Sequence, residues 1–264
     1  MVLPALPFHR HHFPQPAQGF FCLIQPAGQE ADFFGAFGTL FYIDTEFDTD
    51  RRFRLTTTSS GDESPQTMRL LECSDGKFKL TKDLVHDIPK YAILSHTWGP
   101  DTDEVTFRDL VDGTGEDKIG YQKIRFCAEQ ARRDGLEYFW VDTCCIDKSN
   151  NNELYTAINP IFRWYQNAAR CYVYLSGISA TSYGNGQQFE LAWESAFRAH
   201  RWFTRGWTLQ ELLAPASVEF FTEDGRRLGD KKSLEQQIHE VTGIVVPALR
   251  ETDLSQFDVE ERFG

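Results

Sequence analysis

The strongest constraint on the fold is an alternation, from residue 91 onward, of short apolar runs with stretches of helical periodicity. Residues 91–95, 171–175 and 218–221 are apolar runs of strand length. Residues 138–146 are apolar on both alternating faces, as expected for a central parallel strand. Strands that are separated by helices predict an α/β fold, in which helices flank a parallel sheet on both faces.

Local signals predict where the helices between these strands begin and end. Apolar residues recur at helical spacing before Gly135, which is positioned to end that helix: Ile124, Cys127, Ala128 and Ala131. Asn150 and Glu153 resemble a capping box at the start of the next helix. Pro160 is expected to kink or divide that helix, because a mid-helix proline costs about 3 kcal/mol. Residues 232–242 predict a closing helix.

Polar and glycine-containing stretches follow the predicted strands. In an open parallel sheet, ligands bind beyond the carboxyl ends of the strands. That edge carries residues 95–99, residues 142–148, the loop 176–188 and the start of a short helix that bears Glu211. The sequence therefore predicts a candidate binding site where these stretches meet.

The helix that bears Glu211 places this acid one turn after an aromatic residue, Trp207, with Arg201 and Arg205 just upstream. Residues four apart share a helix face, so the indole and the carboxylate are expected to project together. A neighbouring stripe at helical spacing faces the core: Leu209, Leu212 and Leu213. Taken alone, the segment fits either a binding site or an ordinary amphipathic helix.

The first 67 residues differ in character from the rest of the chain. Residues 56–67 are polar and rich in turn formers, as in a linker. Residues 33–43 predict a strand or a short helix without an evident partner. We therefore expect a poorly patterned extension at residues 1–67, a folded domain at residues 68–264 and a natural start at Met68.

Composition narrows the classes of function. A net charge of −12 without a basic run disfavours nucleic acid as a partner. No apolar stretch approaches the roughly 20 residues that span a bilayer, and the start lacks the apolar core of a secretory signal. Six cysteines without a CxxC pair fit reduced thiols, so we expect a soluble, cytoplasmic protein without a membrane partner. His9, His11 and His12 lack a further ligand at a useful spacing, and no metal site is predicted.

Three segments carry unusual motifs: YAILSHTWG at 91–99, WVDTCCIDK at 140–148 and RWFTRGWTLQELLAP at 201–215. In sequence, order and spacing they resemble the motif blocks of the fungal heterokaryon incompatibility (HET) domain. The resemblance covers roughly residues 68–244. It implies a protein of fungal non-self recognition, in which the domain triggers programmed cell death after incompatible cells fuse.

Two features depart from the family pattern. Pro160 is expected to break a helix that family members keep continuous. The chain also stops at residues 257–264, where family members continue into further helical sequence. We therefore expect a HET domain that is truncated at its C-terminal end.

The family also resembles, more distantly, the TIR domains of innate immune receptors, which implies a flavodoxin-like sheet. Residues 207–212 are similar to a TIR motif whose glutamate is needed to cleave NAD⁺ between nicotinamide and ribose, and this role falls on Glu211. The resemblance implies NAD⁺ as a substrate and no permanently bound cofactor. A nearby carboxylate can stabilise the oxocarbenium-like state of such a cleavage.

Other residues of the three blocks are candidate substrate contacts. Aromatic residues stack on flat rings, a role that fits Trp98 or Trp207. Guanidinium groups bind phosphate, a role that fits Arg201 or Arg205. Ser95 and His96 either contact the substrate or turn the first loop. Asp142 either joins the site or forms a buried ion pair, for which Arg205 is a partner of the right charge. The candidate binding residues are Ser95, His96, Trp98, Asp142, Arg205 and Trp207.

Two other chemistries fit the same edge of the sheet. Cys144 or Cys145 with His96 and Asp142 has the composition of a thiol nucleophile, a base and an orienting acid. Adjacent cysteines in an apolar strand are, however, more typical of a core. Asp142 and Asp147 are suited to Mg²⁺, but the chain has no glycine-rich phosphate-binding loop.

Two functional hypotheses from different classes remain. The first is an NAD⁺-cleaving death effector that depends on Glu211. The second is a non-catalytic signalling or adaptor module that acts through self-association into a homo-oligomer. In both, the expected partner is another incompatibility protein or an upstream sensor.

Overall fold

A seven-stranded sheet forms the centre of the fold. The computed structural model describes residues 67–74, 76–179 and 187–250. In chain order the strands are β1 Leu71–Ser74, β2 Lys77–Leu80, β3 Tyr91–His96, β4 Tyr138–Trp140, β5 Arg170–Leu175, β6 Val218–Thr222 and β7 Arg227–Asp230. They lie side by side in the order β2-β1-β4-β3-β5-β6-β7.

Helices occupy most of the connections between the strands. Their bounds are α1 Phe107–Asp112, α2 Tyr121–Arg133, α3 Asp142–Cys145, α4 Asn151–Asn167, α5 Gln187–Arg198, α6 Thr208–Leu213, α7 Glu235–Thr242 and α8 Val246–Arg250. A 3-10 helix, Arg201–Thr204, precedes α6. Within the described residues, none of the helices combines the length and the apolar character that crossing a membrane requires.

The inner strands are parallel, as the alternating pattern predicts. β3 pairs with β4 and β5, and β5 pairs with β6. The outer strands are antiparallel, which corrects the expectation of a parallel sheet throughout. β1 and β2 form a hairpin, and the φ of +76° at Gly76 suits its short turn. β7 follows β6 after a short connection, which permits only an antiparallel partner.

The two faces of the sheet are covered by different connections. Helix α2, between β3 and β4, packs on one face, where Phe126 contacts Tyr172 of β5. Helix α4, between β4 and β5, packs on the other face, where Trp164 contacts Trp140 of β4. The backbone register places Trp140 and Tyr172 on opposite faces of the sheet.

Helix α5 and the 3-10 helix, between β5 and β6, pack on the same face as α4. There Phe197 and Trp202 both contact Phe220 of β6. The chain therefore leaves β3 towards one face and leaves the neighbouring β5 towards the other. The four inner strands lie side by side in the order β4-β3-β5-β6. When they are numbered along the chain, this is the order 2-1-3-4.

Residues 138–146 are not one strand, which corrects the prediction drawn from their apolar faces. β4 ends at Trp140, and Val141 is extended before α3 begins at Asp142. Aspartate disfavours a strand, and a carboxylate in the first turn of a helix suits the helix dipole. Cys144 and Cys145 therefore lie on a buried turn of helix and not on the sheet.

Helix α4 begins where the sequence predicts. Asn150 caps it by accepting bonds from the amides of Asn152 and Glu153. The reciprocal half of the predicted capping box has other partners, because the Glu153 carboxylate accepts from the Asp147 amide. The helix is continuous across Pro160, so the predicted division is wrong. Its buried turns pack on the sheet, and such packing outweighs the weak local propensity.

The other predicted helix ends are close to those observed. Helix α2 ends at Arg133, and Gly135 follows with a φ of +72°, as expected after a helix. The closing helix begins at Glu235, three residues later than the sequence predicts, and ends at Thr242 as predicted.

Several predictions concern residues outside the described ranges. These are His9, His11 and His12, the stretch 33–43, the linker before Thr67 and the C-terminal stretch 257–264. The loop after β5 is described only as far as Ser179. Met68 is described: it is 1% exposed and forms an antiparallel bridge with Leu84.

Candidate functional site

The side chain of Glu211 in α6 points into the protein. The residue is only 5% exposed, so its carboxylate needs partners within the fold. Ser95 Oγ donates to it at 2.8 Å and Tyr165 Oη at 3.3 Å. The guanidinium of Arg205 donates to both carboxylate oxygens, at 3.1 and 3.2 Å. We name these residues, together with Trp202, the Glu211 cluster.

Separate elements bring the Glu211 cluster together. Ser95 lies on β3, Tyr165 on α4, Trp202 on the 3-10 helix and Glu211 on α6. The indole N–H of Trp202 donates to Ser95 Oγ at 2.7 Å. The serine hydroxyl therefore accepts one bond and directs its own hydrogen to the Glu211 carboxylate.

The ion pair of Arg205 and Glu211 sets the charge of this cluster. Burial by itself lowers the pKa of Arg205, but the charge of Glu211, its hydrogen bond to the guanidinium and the neighbouring acidic groups Tyr165 and Asp142 together outweigh burial and raise that pKa. Burial, and after it the charge of Glu211, raise the pKa of Tyr165 well above its ordinary value. The arginine is thus a cation and the phenol a proton donor. Removing one partner of such a buried pair costs about 3–5 kcal/mol.

His96 belongs to a second cluster on the other face of the sheet. Successive strand residues point to opposite faces, so Ser95 and His96 diverge although they are adjacent. The residue is 2% exposed, and its ring lies 3.8 Å from Glu104 on the Nε2 side and 3.8 Å from Asp142 on the Nδ1 side. Among the described residues, Nε2 has no hydrogen-bond partner. We name His96, Glu104, Lys123 and Asp142 the His96 cluster.

Glu104 connects the His96 cluster to the loop that follows β3. Its carboxylate accepts from the Gly99 amide at 2.6 Å and from the Lys123 ammonium, which also donates to the Thr97 carbonyl at 3.0 Å. Burial tends to raise the pKa of Glu104. His96, the Gly99 amide and Lys123 together outweigh burial and lower that pKa to about 2. The carboxylate is therefore ionised at neutral pH.

Asp142 pairs with Lys148 at 3.2 Å. The sequence suggested Arg205 as its partner, but the structure pairs Arg205 with Glu211. Burial tends to raise the pKa of Asp142, whereas the charge of Lys148, followed by those of His96 and Arg205, lowers it. Asp142 is therefore an anion within reach of both clusters.

Trp98 presents an indole ring at the carboxyl end of β3. The residue is 41% exposed, and the Lys148 ammonium lies 3.6 Å from the centroid of its ring, a cation–π contact. Arg201 donates to the Trp98 carbonyl at 2.6 Å. An exposed aromatic ring and two cations therefore lie together at this edge.

Trp207 is the N-cap residue of α6 and is half-buried. Its carbonyl accepts from the Glu211 amide at 3.1 Å, as in a first helical turn. The Glu211 carboxylate projects into the interior, where it bonds to Ser95 and Tyr165. That the indole projects with it stays a prediction.

The thiol chemistry considered from the sequence does not fit the structure. Cys144 donates to the Val105 carbonyl at 3.2 Å. Burial raises the pKa of Cys144 well above its usual value and that of Cys145 to about 12, so neither supplies a thiolate at neutral pH. In the part of the chain that the structure describes, no group of three or more His, Cys, Asp or Glu is arranged to hold a metal ion.

The candidate residues predicted from the sequence thus fall into separate places. Ser95, Arg205 and Glu211 meet in one cluster, whereas His96 and Asp142 belong to the other. Sequence reasoning missed further members of both clusters: Tyr165, Trp202, Glu104 and Lys123. Trp202 lies within the third motif block, so the block itself was a signal. The other three lie outside the blocks, and no local pattern distinguishes them.

Comparison with known proteins identifies the family. Residues 91–192 match the family model described as heterokaryon incompatibility protein (HET). The vegetative incompatibility protein HET-E-1 of Podospora anserina is 58% identical over 199 residues, which cover 75% of this chain and 14% of that relative. No solved structure matches. The chain therefore belongs to the fungal HET domain family.

Proposed function

We propose that this chain acts in fungal vegetative incompatibility, as the domain that triggers programmed cell death after non-self recognition. The family match and the 58% identity to a vegetative incompatibility protein support this role. In this proposal the domain works in the cytoplasm and receives its signal from another incompatibility protein or from an upstream sensor.

The proposed activity is cleavage of NAD⁺ between nicotinamide and ribose, with Glu211 as the catalytic carboxylate. The observation that carries this proposal is the 2.8 Å hydrogen bond from Ser95, near the carboxyl end of β3, to Glu211. The chain leaves β3 and its neighbour β5 towards opposite faces, and ligands of doubly wound sheets bind at such a point. The order of the inner strands also supports a flavodoxin-like, TIR-like fold.

The chemistry requires a carboxylate close to the ribose. The bond between C1′ and the nicotinamide nitrogen breaks, its electron pair leaves with nicotinamide, and water adds to C1′ and releases a proton. Positive charge develops on the ribose ring, and a nearby carboxylate stabilises that state. Arg205 occupies both oxygens of Glu211 in the structure. Substrate binding must therefore exchange part of the Arg205 contact for ribose hydroxyls, which frees the guanidinium for a phosphate.

The exposed edge near Trp98 supports the binding of the rest of such a substrate. A base can stack on the indole of Trp98 or of Trp207. The cations beside Trp98, Lys148 and Arg201, suit the pyrophosphate. In this proposal Asp142 orients Lys148, and His96 supports the loop after β3 from the opposite face.

A second candidate function is a non-catalytic module that signals through self-association. The observation that favours it is the burial of Glu211, whose side chain is 7% exposed and whose carboxylate already accepts from Ser95, Tyr165 and Arg205. A carboxylate with this many partners also fits a purely structural role, because a buried charge must be paired.

Cells that express the chain under an inducible promoter separate the two functions. We expect induction to lower cellular NAD⁺ before viability falls, and Glu211→Gln to abolish both effects. Glu211→Gln retains hydrogen-bonding atoms at the same place, and its soluble level and thermal unfolding establish that it folds. A matched control is Glu129→Gln, which changes an exposed glutamate of α2 and is expected to leave NAD⁺ depletion intact.

Two outcomes of this experiment would each reject part of the proposal. Cell death with unchanged NAD⁺ would reject the enzymatic function and favour self-association. Depletion of NAD⁺ at the wild-type rate by a folded Glu211→Gln protein would reject Glu211 as the catalytic residue.

A further inference from the structure

A cavity of about 410 Å³ lies at the amino-terminal ends of β5 and β6, between these strands, β7 and α8. None of the residues placed in the Glu211 or His96 clusters lines it. Five of its lining residues are cations: Arg170, Arg227, Lys231, Lys232 and Arg250. The volume lies within the range of about 300–1,000 Å³ that is usual for small-molecule sites.

The charge of this cavity is opposite to that of the chain as a whole. Its five cations face two lining acids, Glu219 and Asp230, whereas the net charge of the chain is −12. The lining is therefore positive by three charges. Two further carboxylates, Asp134 and Glu235, pair with lining arginines from outside, and they still leave one cation in excess.

Lys231 is the buried cation of the group. It is 7% exposed, and its ammonium donates to the carbonyls of Leu212 at 3.3 Å and Pro215 at 3.0 Å. Burial lowers its pKa. An ammonium has three N–H donors, and the two carbonyls account for two of them. Within the described ranges, no carboxylate lies within ion-pair distance of Lys231, although a buried charge without a counter-charge is costly.

Two arginines of the cavity are held in place by neighbouring carboxylates. Arg227 uses Nε and Nη2 to bond to Glu219 at 2.5 Å and Asp230 at 2.7 Å. Arg250 uses the same two atoms to bond to Glu235. Among the described residues, Nη1 of both arginines is left for a further acceptor, since a guanidinium has five N–H donors. Arginines oriented in this way lose less entropy when they bind an oxyanion.

We propose that this cavity binds a small phosphate-bearing anion. Phosphate oxygens supply the counter-charge that Lys231 lacks, and they accept several N–H groups at once from oriented arginines. Lys232, which is exposed and adjoins Lys231, adds a second ammonium that lacks a carboxylate partner among the described residues. This site is separate from the proposed NAD⁺ site and does not depend on that proposal.

Isothermal titration of the full chain with inorganic pyrophosphate at constant ionic strength tests the proposal. We expect saturable binding that weakens at least 10-fold in Lys231→Met, which keeps the length of the side chain and removes its charge. Lys232→Ala is expected to weaken binding several-fold. The matched control is Lys82→Ala, which removes an exposed lysine outside the cavity and should leave the affinity unchanged.

Further variants keep each outcome decisive. Lys231 bonds to the end of α6, so Lys231→Met can unfold the chain; the exposed Lys232 then provides the test. Absence of binding to the wild-type chain, or equal binding by Lys232→Ala, would overturn the proposal. Citrate that binds as tightly as pyrophosphate would overturn the assignment to phosphate. Glu211→Gln should bind pyrophosphate normally, so failure of the NAD⁺ proposal and failure of this one are distinguishable.

Discussion

The Glu211 and His96 clusters lie on opposite faces of the sheet and include adjacent residues of β3, Ser95 and His96, yet they bury charge in different ways. In the Glu211 cluster, one carboxylate is matched by one guanidinium and accepts further bonds from Ser95 and Tyr165. In the His96 cluster, an imidazole lies 3.8 Å from a carboxylate on each side, and its Nε2 finds no hydrogen-bond partner in the part of the chain that the structure describes. The first cluster is fully paired, and the second is loosely fitted around its histidine.

This difference has consequences for stability. When one partner of a paired buried charge is removed, the other partner stays buried without a counter-charge or hydrogen bond. Removing any member of the Glu211 cluster should therefore lower the free energy of unfolding strongly. In the His96 cluster, the Glu104 carboxylate also bonds to Gly99 and Lys123, so it keeps two partners when the histidine is removed. The following predictions are ordered from the largest expected effect to the smallest.

Arg205→Met should have the largest effect, because it leaves the Glu211 carboxylate buried without a counter-charge. We expect a loss of about 3–5 kcal/mol in the free energy of unfolding, measured with urea. Combining it with Glu211→Gln should cost less than the sum of the single changes, because the residues are in direct contact. A loss below about 1 kcal/mol for Arg205→Met would contradict the view that this pair is buried and matched.

Acid should destabilise the fold through Glu104. Its pKa is lowered from 4.5 to about 2, so its stabilising effect is full above pH 4.5 and disappears as the pH falls through about 2. A shift of this size corresponds to about 3 kcal/mol. Urea unfolding at a series of pH values should show this loss in the wild type. Glu104→Gln should flatten the curve in that interval, and an unchanged curve would show that Glu104 is not the titrating group.

Ser95→Ala should have an intermediate effect. It removes the acceptor of the Trp202 indole N–H and one donor to Glu211. We expect a cost of about 1–3 kcal/mol by urea unfolding, because two buried polar groups each lose a partner. Ser149→Ala is the control, since the hydroxyl of that exposed serine bonds to Asp147, which lies two residues earlier in the chain, and its loss should change stability by less than about 0.5 kcal/mol. Equal losses of unfolding free energy at the two serines would contradict the view that the bonds of Ser95 are buried and those of Ser149 are not.

Lys148→Met should have the smallest effect. Lys148 is partly exposed, and both its ion pair with Asp142 and its contact with Trp98 are screened by solvent. We expect a loss of about 0.5–1 kcal/mol and a change in tryptophan fluorescence as the cation leaves the Trp98 ring. An effect as large as that of Arg205→Met would place this pair in the core, contrary to the structure.

The inner part of the sheet could be predicted from the sequence. The predicted strands at 91–95 and 171–175 each differ by one residue from Tyr91–His96 and Arg170–Leu175, because strands buried on both faces are continuous apolar runs. The outer strands were not predicted, although β1 and β2 alternate polar and apolar residues as half-buried strands do, because each is only four residues long. The Asp75-Gly76 dipeptide between them was the signal for a hairpin.

The candidate site could be predicted only in part. The motif blocks brought together Ser95, Arg205 and Glu211, which the structure places in one cluster. The separation of His96 from Ser95 follows from strand alternation alone and was predictable. Tyr165 was not, because its contact with Glu211 depends on how α4 packs on the sheet, which no local pattern determines.

The central claim is that the Glu211 cluster is a catalytic centre. Its most direct test is to measure whether the purified chain releases nicotinamide from NAD⁺. Chromatography of the reaction with NAD⁺ should detect nicotinamide and ADP-ribose in equal amounts from the wild type. Folded Glu211→Gln should release at least about 100-fold less, as when an electrostatic contact to a transition state is lost. Equal rates for the wild type and Glu211→Gln, or no release by either, would contradict the claim and leave the cluster as a structural ion pair.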